Sequence, residues 1–377
     1  MSTTKILIFI DWFYPAYKAG GPLKSVFNLV QALKKEFDFS IVTSNRDLDG
    51  EILEVVPNEW SNYEGIDVIY LTKEKQKRKI YRAIFEEKKV DVVYYNSLFS
   101  LNFLLKPYRL FKQYEVKQVI CPRGMFGEGS LAVKAKKKKV FLSLAKRYIF
   151  DKKQTIWHAT SEQEAKDIEK NLGRGIKVVI AQNLSSQPIN RDLSEVTKVK
   201  NELKLVFIAR VLPIKNLLFA LELIQELKEE KGLTLDIYGP IEEETYWKKC
   251  KAIIERDDRI QYRGVVKPQD IATTLQQYHF YILPTLHENY GHSIVEALLA
   301  GLPIVISQAT PWSNLKLAGV GADLDMGDKA EWMEYLKEAL ALTQDDYEQM
   351  VQNCYAYVEE HILSAKTIED ARKVFKN

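Results

Sequence analysis

Cysteine is scarce in this chain: three among 377 residues, with Cys121, Cys250 and Cys354 far apart and odd in number. That argues against a disulfide framework and offers none of the close spacings of a zinc site, and it suits reduced thiols in a cytosolic protein. Long hydrophobic runs are missing as well. The amino terminus, MSTTKILIFIDWF, carries only a five-residue apolar run before Asp11, which predicts a buried first strand and no signal peptide. The stretch VVYYNSLFSLNFLL (92–105) falls short of the ~20 residues that a membrane-spanning helix needs, so no transmembrane segment is expected. There is no repeat of solenoid period, and no low-complexity tract beyond one lysine run.

What is present points to two domains. A chain of 377 residues is long for one domain, and its 46% apolar content lets each half bury a core. The net charge of +3 hides an asymmetry: residues 1–200 hold 35 Lys/Arg against 23 Asp/Glu, and residues 201–377 hold 19 against 28. The basic excess concentrates in 101–150, where KAKKKKV supplies Lys134, Lys136, Lys137, Lys138 and Lys139. A solvated helix face explains such a run, and so does attraction to an anionic surface or substrate.

Short β-branched and apolar runs alternate with amphipathic segments along the first half. KILIFI, FSIVTS, IDVIYL, VDVVYYN, KQVIC, TIWHAT and IKVVIAQ suit strands of a parallel sheet buried on both faces. PLKSVFNLVQALKKE and AKDIEKNL suit the helices between them. A polar stretch (181–202) interrupts the alternation, which restarts with LKLVFIAR, LTLDIYG, RIQYRG, FYILPT and LPIVIS. The expected organisation is residues 1–185, residues 186–360, and a final helix 361–377 packing back on the first domain. Two α/β units in succession predict two doubly wound domains facing each other across a cleft, followed by a helical carboxy-terminal tail.

In an open parallel sheet, ligands sit beyond the carboxyl ends of the strands, and the informative motifs fall there. After the first strand, Gly20 and Gly21 let backbone approach a ligand, and Pro22 suits the first turn of a helix whose amino end favours phosphate; a plain loop is the other reading. In the second half, ARVLPIKN places Arg210 at a strand end and Lys215 near a helix start, as a diphosphate grip or as two surface cations. The stretch HENYGHSIVEALLAG reads as a turn carrying Glu288 and a helix carrying Glu296. Eight residues span up to ~12 Å of helix, whereas the carboxyl pair of a retaining hydrolase sits ~5–5.5 Å apart. The spacing therefore disfavours a hydrolytic dyad. It suits two carboxylates accepting from hydroxyl-rich parts of one long ligand, with phosphate held at the helix start between them.

These residues resemble a family. ENYGHSIVEALLAGLPIV resembles the E-x7-E signature of retaining nucleotide-sugar glycosyltransferases of family 4, which have the GT-B fold of two Rossmann-like domains. ARVLPIKN is similar to that family's Arg and Lys diphosphate motif, LDIYGP to its strand-plus-glycine loop, and QYRGVV to the segment against the base. HATSEQEAKDIE and AQNL resemble the stretch before the hinge, and CPRGMFGEGSLAVKAKKKK an element of a bacterial polysaccharide-synthesis branch, so the resemblance covers nearly the whole chain. It implies that Arg210 and Lys215 neutralise the departing diphosphate and that Glu288 binds donor-sugar hydroxyls. It further implies that Asn289, Tyr290 and Gly291 hold sugar and phosphate through their backbone, that Glu296 holds the ribose, and that Gly20 and Gly21 close on the diphosphate. The implied reaction is metal-free transfer with retention from a UDP- or GDP-sugar to a glycan or lipid-linked acceptor in surface polysaccharide synthesis. The chain departs from the pattern at Ala209 and Asn216, where glycine is usual, and this bears on the loop's conformation.

Two D-x-D triplets, 47–49 and 323–325, follow no strand pattern of a metal-dependent transferase, so no metal is expected. Arg123, after the strand KQVIC, is an acceptor contact or a buried structural arginine, and His158 is an acceptor contact or a structural histidine. Ser161 with Glu164 fits a helix capping box. The lysine run with VFLSLAKRYIF behind it fits a basic surface helix on an anionic membrane, which would make the protein cytoplasmic and peripheral; no nucleic-acid module is recognisable. The competing functions are a nucleotide-sugar epimerase, a phosphorylase (disfavoured by chain length), and a non-catalytic nucleotide-sugar-binding subunit.

Overall fold

The apolar runs of the sequence form the strands of two parallel sheets, and each sheet has its own core. The computed structural model describes residues 3–127, 150, 154–173, 175–185, 189, 191 and 196–376. Lys134 and Lys136–Lys139, with the basic helix expected there, lie outside the described residues. The chain divides into two units, Met1–Ser186 together with Ala365–Asn377, and Gln187–Ser364.

In the first unit the strands are β1 (Lys5–Phe9), β2 (Asp38–Ser44), β3 (Trp60–Tyr63), β4 (Ile66–Leu71), β5 (Val92–Tyr95), β6 (Lys117–Ile120), β7 (Thr155–Ala159) and β8 (Lys177–Ile180). They lie in the order β3-β4-β2-β1-β5-β6-β7-β8. All neighbours pair in parallel except β3, which runs antiparallel to β4 at the edge. The central strands are buried on both faces, which is why they read as continuous apolar runs. β3, with the sequence WSNY, is half exposed and polar, and carries no such signal.

The second unit holds β9 (Leu203–Ile208), β10 (Leu233–Tyr238), β11 (Ile260–Gly264), β12 (Phe280–Leu283), β13 (Ile304–Ser307) and β14 (Gly321–Leu324). Their order is β11-β10-β9-β12-β13-β14, all parallel. Consecutive strands step outward from β9 to β11, then the chain returns to the other side of β9 with β12. That reversal is a topological switch point, where the loops leaving two adjacent strands diverge and leave room for a ligand. β14, GADL, was not anticipated, because two of its four residues are glycine and aspartate. Among the described residues no helix is long and apolar enough to cross a membrane.

The tail is helical, as its three-to-four periodicity predicts: Lys329–Ala341, Gln344–His361 and Ala365–Phe375. A full capping box, Thr343 with Asp346, starts the second of these. The last helix belongs to the first unit. Phe375 is buried with its ring 5.6 Å from both Phe37 and Phe39 and 5.7 Å from Tyr94, and Arg372 pairs with Glu36 at 2.6 Å. Losing so enclosed an aromatic ring leaves a cavity as well as forfeiting its transfer energy, typically about 3–5 kcal/mol. Phe375→Ala is therefore expected to shift the first unit's denaturant midpoint down by several tenths molar or more, while an unchanged midpoint would show that the helix contributes nothing to that core.

Candidate functional site

At the switch point of the second unit, the loops after β9 and β12 bring together residues that are 73 positions apart in sequence. Lys215 Nζ donates to Glu288 Oε2 in an ion pair whose side chains are only 14% and 17% exposed. The loops are laced together by backbone and hydroxyl contacts. Leu286 N–H donates to the Ile214 carbonyl at 2.8 Å, and Thr285 Oγ1 donates to the same oxygen at 2.9 Å. Glu288 N–H donates to the Ala309 carbonyl beyond β13 at 2.9 Å, so the carboxylate is positioned by three strand ends at once.

Arg210 lies at the carboxyl end of β9, where a parallel bridge between Val211 and Ile241 extends the pairing of β9 with β10. That bridge sets Glu242 beside Arg210, whose Nη1 donates to both carboxylate oxygens at 3.1 and 3.2 Å. Among the described residues the Nε and Nη2 of Arg210 donate to no protein acceptor, so one edge of the guanidinium fork stays open. Glu242 was missed by sequence reasoning; the signal available was an acid two residues past the Gly239-Pro240 pair that ends β10. The loop's two departures from the family pattern have a physical account. Asn216 takes the left-handed conformation at φ 55°, which asparagine tolerates better than most residues. The close approach belongs to Gly239, where a Cβ would lie 1.8 Å from the Ala209 carbonyl oxygen.

Gly291 ends the turn after Glu288 at φ 78° and caps the helix His292–Leu299. A Cβ there would meet Ile294 Cδ1 at 2.6 Å and Glu288 Cγ at 3.2 Å, so any side chain would press on the ion pair. Asn289 N–H turns back to Glu288 Oε1 at 3.2 Å, and the Tyr290 carbonyl accepts from Trp312 Nε1 at 2.6 Å. Glu296 lies on the helix and is 8% exposed, on the same turn-and-helix segment as Glu288. In QYRGVV the side chains serve the fold: Tyr262 Oη donates to the Gly239 carbonyl at 2.9 Å, and Arg263 pairs with Asp236 at 2.8 Å.

In the first unit Gly20 (φ 70°) and Gly21 stand at the start of the helix Gly21–Leu33, with Pro22 in its first turn. Arg123 is held by three side chains. Its Nε donates to Asn96 Oδ1 at 2.6 Å, its Nη1 to Asn183 Oδ1, and its Nη2 to the Tyr94 hydroxyl at 3.1 Å. His158, for which an acceptor contact and a structural role were both open, is 2% exposed with both ring nitrogens occupied. Nε2 lies 2.8 Å from the Ala181 carbonyl, which only accepts, so Nε2 carries the proton and Nδ1 accepts from the Tyr94 hydroxyl at 3.0 Å. The capping box is half formed. Ser161 accepts from Glu164 N–H at 3.1 Å, but the buried Glu164 carboxylate accepts instead from Gly124 N–H at 2.5 Å and Thr160 N–H at 2.7 Å, tying down the turn after β6. Both D-x-D triplets also have protein partners. Asp47 and Asp49 hold Lys18, at its backbone N–H and its ammonium, and Asp323 and Asp325 accept from Leu315 N–H and Gly327 N–H. Among the described residues no cluster of His, Cys, Asp or Glu could hold a metal ion.

A fold of two Rossmann-like α/β units of parallel strands with intervening helices is the GT-B class, and solved structures of that class match along the whole chain. Anabaena Alr3699/HepE, solved in complex with UDP and glucose, is 14% identical with a TM-score of 0.70, covering 98% of each chain. WaaG, a glycosyltransferase involved in lipopolysaccharide biosynthesis, is 11% identical with a TM-score of 0.69, over 99% of this chain and all of that one. Sucrose-phosphate synthase from Thermosynechococcus elongatus is 13% identical with a TM-score of 0.70, over 100% of this chain and 95% of that one. At such identities the likeness carries the fold alone. Residues 189–357, within the second unit, match the family described as glycosyl transferases group 1. No curated protein matches the chain by sequence.

The His158 geometry has a consequence for pH. Burial, with the Arg123 charge nearby, pushes its pKa down to about 3, from an ordinary value near 6.5. Between those values the unfolded chain takes up a proton that the folded protein refuses, so stability is full above about pH 6.5 and falls as pH drops, by up to about 1.4 kcal/mol per pH unit. His158→Gln should flatten the decline measured by urea unfolding between pH 7 and 4. A decline equally steep in the variant would contradict the buried neutral imidazole.

Proposed function

We propose that the protein is a glycosyltransferase that moves a sugar from a nucleotide diphosphate donor to a glycan or lipid-linked acceptor. The observation that carries this reading is the ion pair of Lys215 with Glu288, with Arg210 at the end of β9 in the same switch-point region, in a unit that matches the glycosyl transferases group 1 family. The UDP and UDP-glucose complexes of a structural neighbour support a nucleotide-sugar donor. The family resemblance supports bacterial polysaccharide synthesis, with the lysine run as a contact to an anionic membrane.

The chemistry follows from charge. When the bond between the sugar's anomeric carbon and the diphosphate oxygen breaks, the electron pair leaves with the phosphate, and negative charge grows there. Preorganised cations aimed at that charge lower the barrier. The open Nε–Nη2 edge of Arg210 matches two phosphate oxygens, and Lys215 adds a point charge. Glu242 and Glu288 balance these cations in the unliganded protein, so the site does not hold two unpaired buried charges. Glu288 then accepts from donor-sugar hydroxyls and Glu296 from the ribose, while the backbone at Asn289, Tyr290 and Gly291 and the helix amino end face phosphate. In this reading the acceptor hydroxyl attacks from the side the diphosphate leaves, its proton passes to the departing phosphate oxygen, and configuration is retained with no protein nucleophile and no metal.

Transfer is expected to continue in excess EDTA and to fall by at least a thousandfold in the Arg210→Ala/Lys215→Ala double variant, whose fold is checked by circular dichroism. Ordinary turnover in that variant would overturn the diphosphate assignment, and strict dependence on Mn2+ would overturn the metal-free one. Binding of a nucleotide sugar without any turnover would favour the non-catalytic subunit.

A further inference from the structure

Three groups proposed to hold the donor are, in the structure, bonded to one another. Lys215 Nζ donates to Glu288 Oε2, and Asn289 N–H folds back on Glu288 Oε1 at 3.2 Å. Each oxygen of the carboxylate therefore already accepts from the protein, and only 17% of the Glu288 side chain is exposed. A sugar hydroxyl reaching this carboxylate has to compete with an ammonium for it. The two partners differ in freedom. Glu288 N–H is anchored on the Ala309 carbonyl at 2.9 Å, and Gly291 packs so near that an added Cβ would lie 3.2 Å from Glu288 Cγ. Lys215 ends a short 3₁₀ turn, Pro213–Lys215, and carries its charge on a flexible four-carbon stem. The cation is the member that can change partner while the carboxylate stays.

Burial decides what can make it change. With 14% of the lysine side chain and 17% of the glutamate exposed, simple separation would leave an enclosed charge of each sign without a partner. A neutral hydroxyl cannot drive that separation, because it satisfies the carboxylate and still strands the ammonium. A diphosphate can. It offers Lys215 an anion of higher charge at the moment the ammonium leaves Glu288, so the cation is never unpaired. The carboxylate oxygen that Lys215 gives up is then an open acceptor, and hydroxyl groups are the donors that complement it.

We propose that the Lys215–Glu288 pair is an exchange switch that makes recognition of the donor's sugar conditional on its diphosphate: phosphate takes the ammonium, and only then does Glu288 accept from the sugar. The assignment rests on the glycosyltransferase reading and adds to it a regulation of the same site. A free sugar is excluded by the closed pair. The two halves of the donor bind with positive coupling, each raising the affinity for the other by the same factor.

The test uses the full chain, with UDP, GDP and ADP as diphosphates and glucose, galactose and N-acetylglucosamine as free sugars. Calorimetry reads diphosphate binding, and saturation-transfer NMR reads sugar binding with and without saturating diphosphate. In the wild type at least one sugar should bind about tenfold or more tightly once the diphosphate is present. Glu288→Gln keeps the size of the side chain but cannot hold an ammonium by charge. It should bind the diphosphate alone at least about threefold tighter than wild type, a gain that a merely structural pair would not give. Sugar binding equal with and without diphosphate, no sugar binding in its presence, or diphosphate binding in Glu288→Gln no tighter than in wild type would each overturn the switch and leave the donor reading in place. If Glu288→Gln does not fold, Lys215→Gln is read instead: sugar binding without diphosphate tighter than the wild type's supports the switch, and equal or weaker binding overturns it. If none of the three diphosphates binds the wild type, the donor reading and the switch fail together.

Discussion

The ion pair between Lys215 and Glu288 depends on one topological fact, that β9 and β12 are neighbours although two strands and three α-helices separate them in the chain. Neither residue would meet the other without the reversal of strand order, and the loops that carry them are bound to each other through Ile214, Thr285 and Leu286. The pair also holds a carboxylate and an ammonium together in a place where less than a fifth of each side chain is exposed. An unpaired charge so enclosed would cost more than most single interactions contribute. The carboxylate beside the cation therefore serves the empty protein as well as the proposed reaction.

Around that pair the backbone is arranged for close approach. Gly291 in a left-handed conformation lets the turn fold over Glu288, Gly239 admits the Ala209 carbonyl, and Asn216 turns the loop into the next helix. These are local solutions to one demand, that cations at strand ends be held in place while the loops stay packed. The arginine follows the same logic: Glu242 pins one nitrogen of Arg210 and leaves the bidentate edge open.

Much of the fold was legible because the parallel strands are buried on both faces and so appear as uninterrupted apolar runs, IVIS and FYIL among them. β3 and β14 were illegible for the complementary reason: WSNY lies half exposed at an edge, and GADL is short and carries an acid. The motif residues were legible at strand ends, but their partners were not. Nothing in a linear reading shows that Lys215 meets Glu288 or that Glu242 meets Arg210, because both contacts join separate βα loops. The same limit applies in the first unit. Arg123 and His158 have the residue types of a binding site, and only the positions of Tyr94, Asn96, Asn183 and Ala181 reveal that each nitrogen of Arg123's fork meets one side chain and that both nitrogens of His158 are taken.

The central claim is that the switch point of the second unit binds a nucleotide diphosphate sugar through its paired cations. Calorimetric titration of the intact protein with UDP-glucose, GDP-mannose and ADP-glucose at two salt concentrations tests it most directly. The account predicts saturable binding of at least one of them, weaker at higher salt because phosphate meets lysine and arginine at a partly exposed site. Absence of binding heat with all three, or binding unaffected by salt, would contradict it.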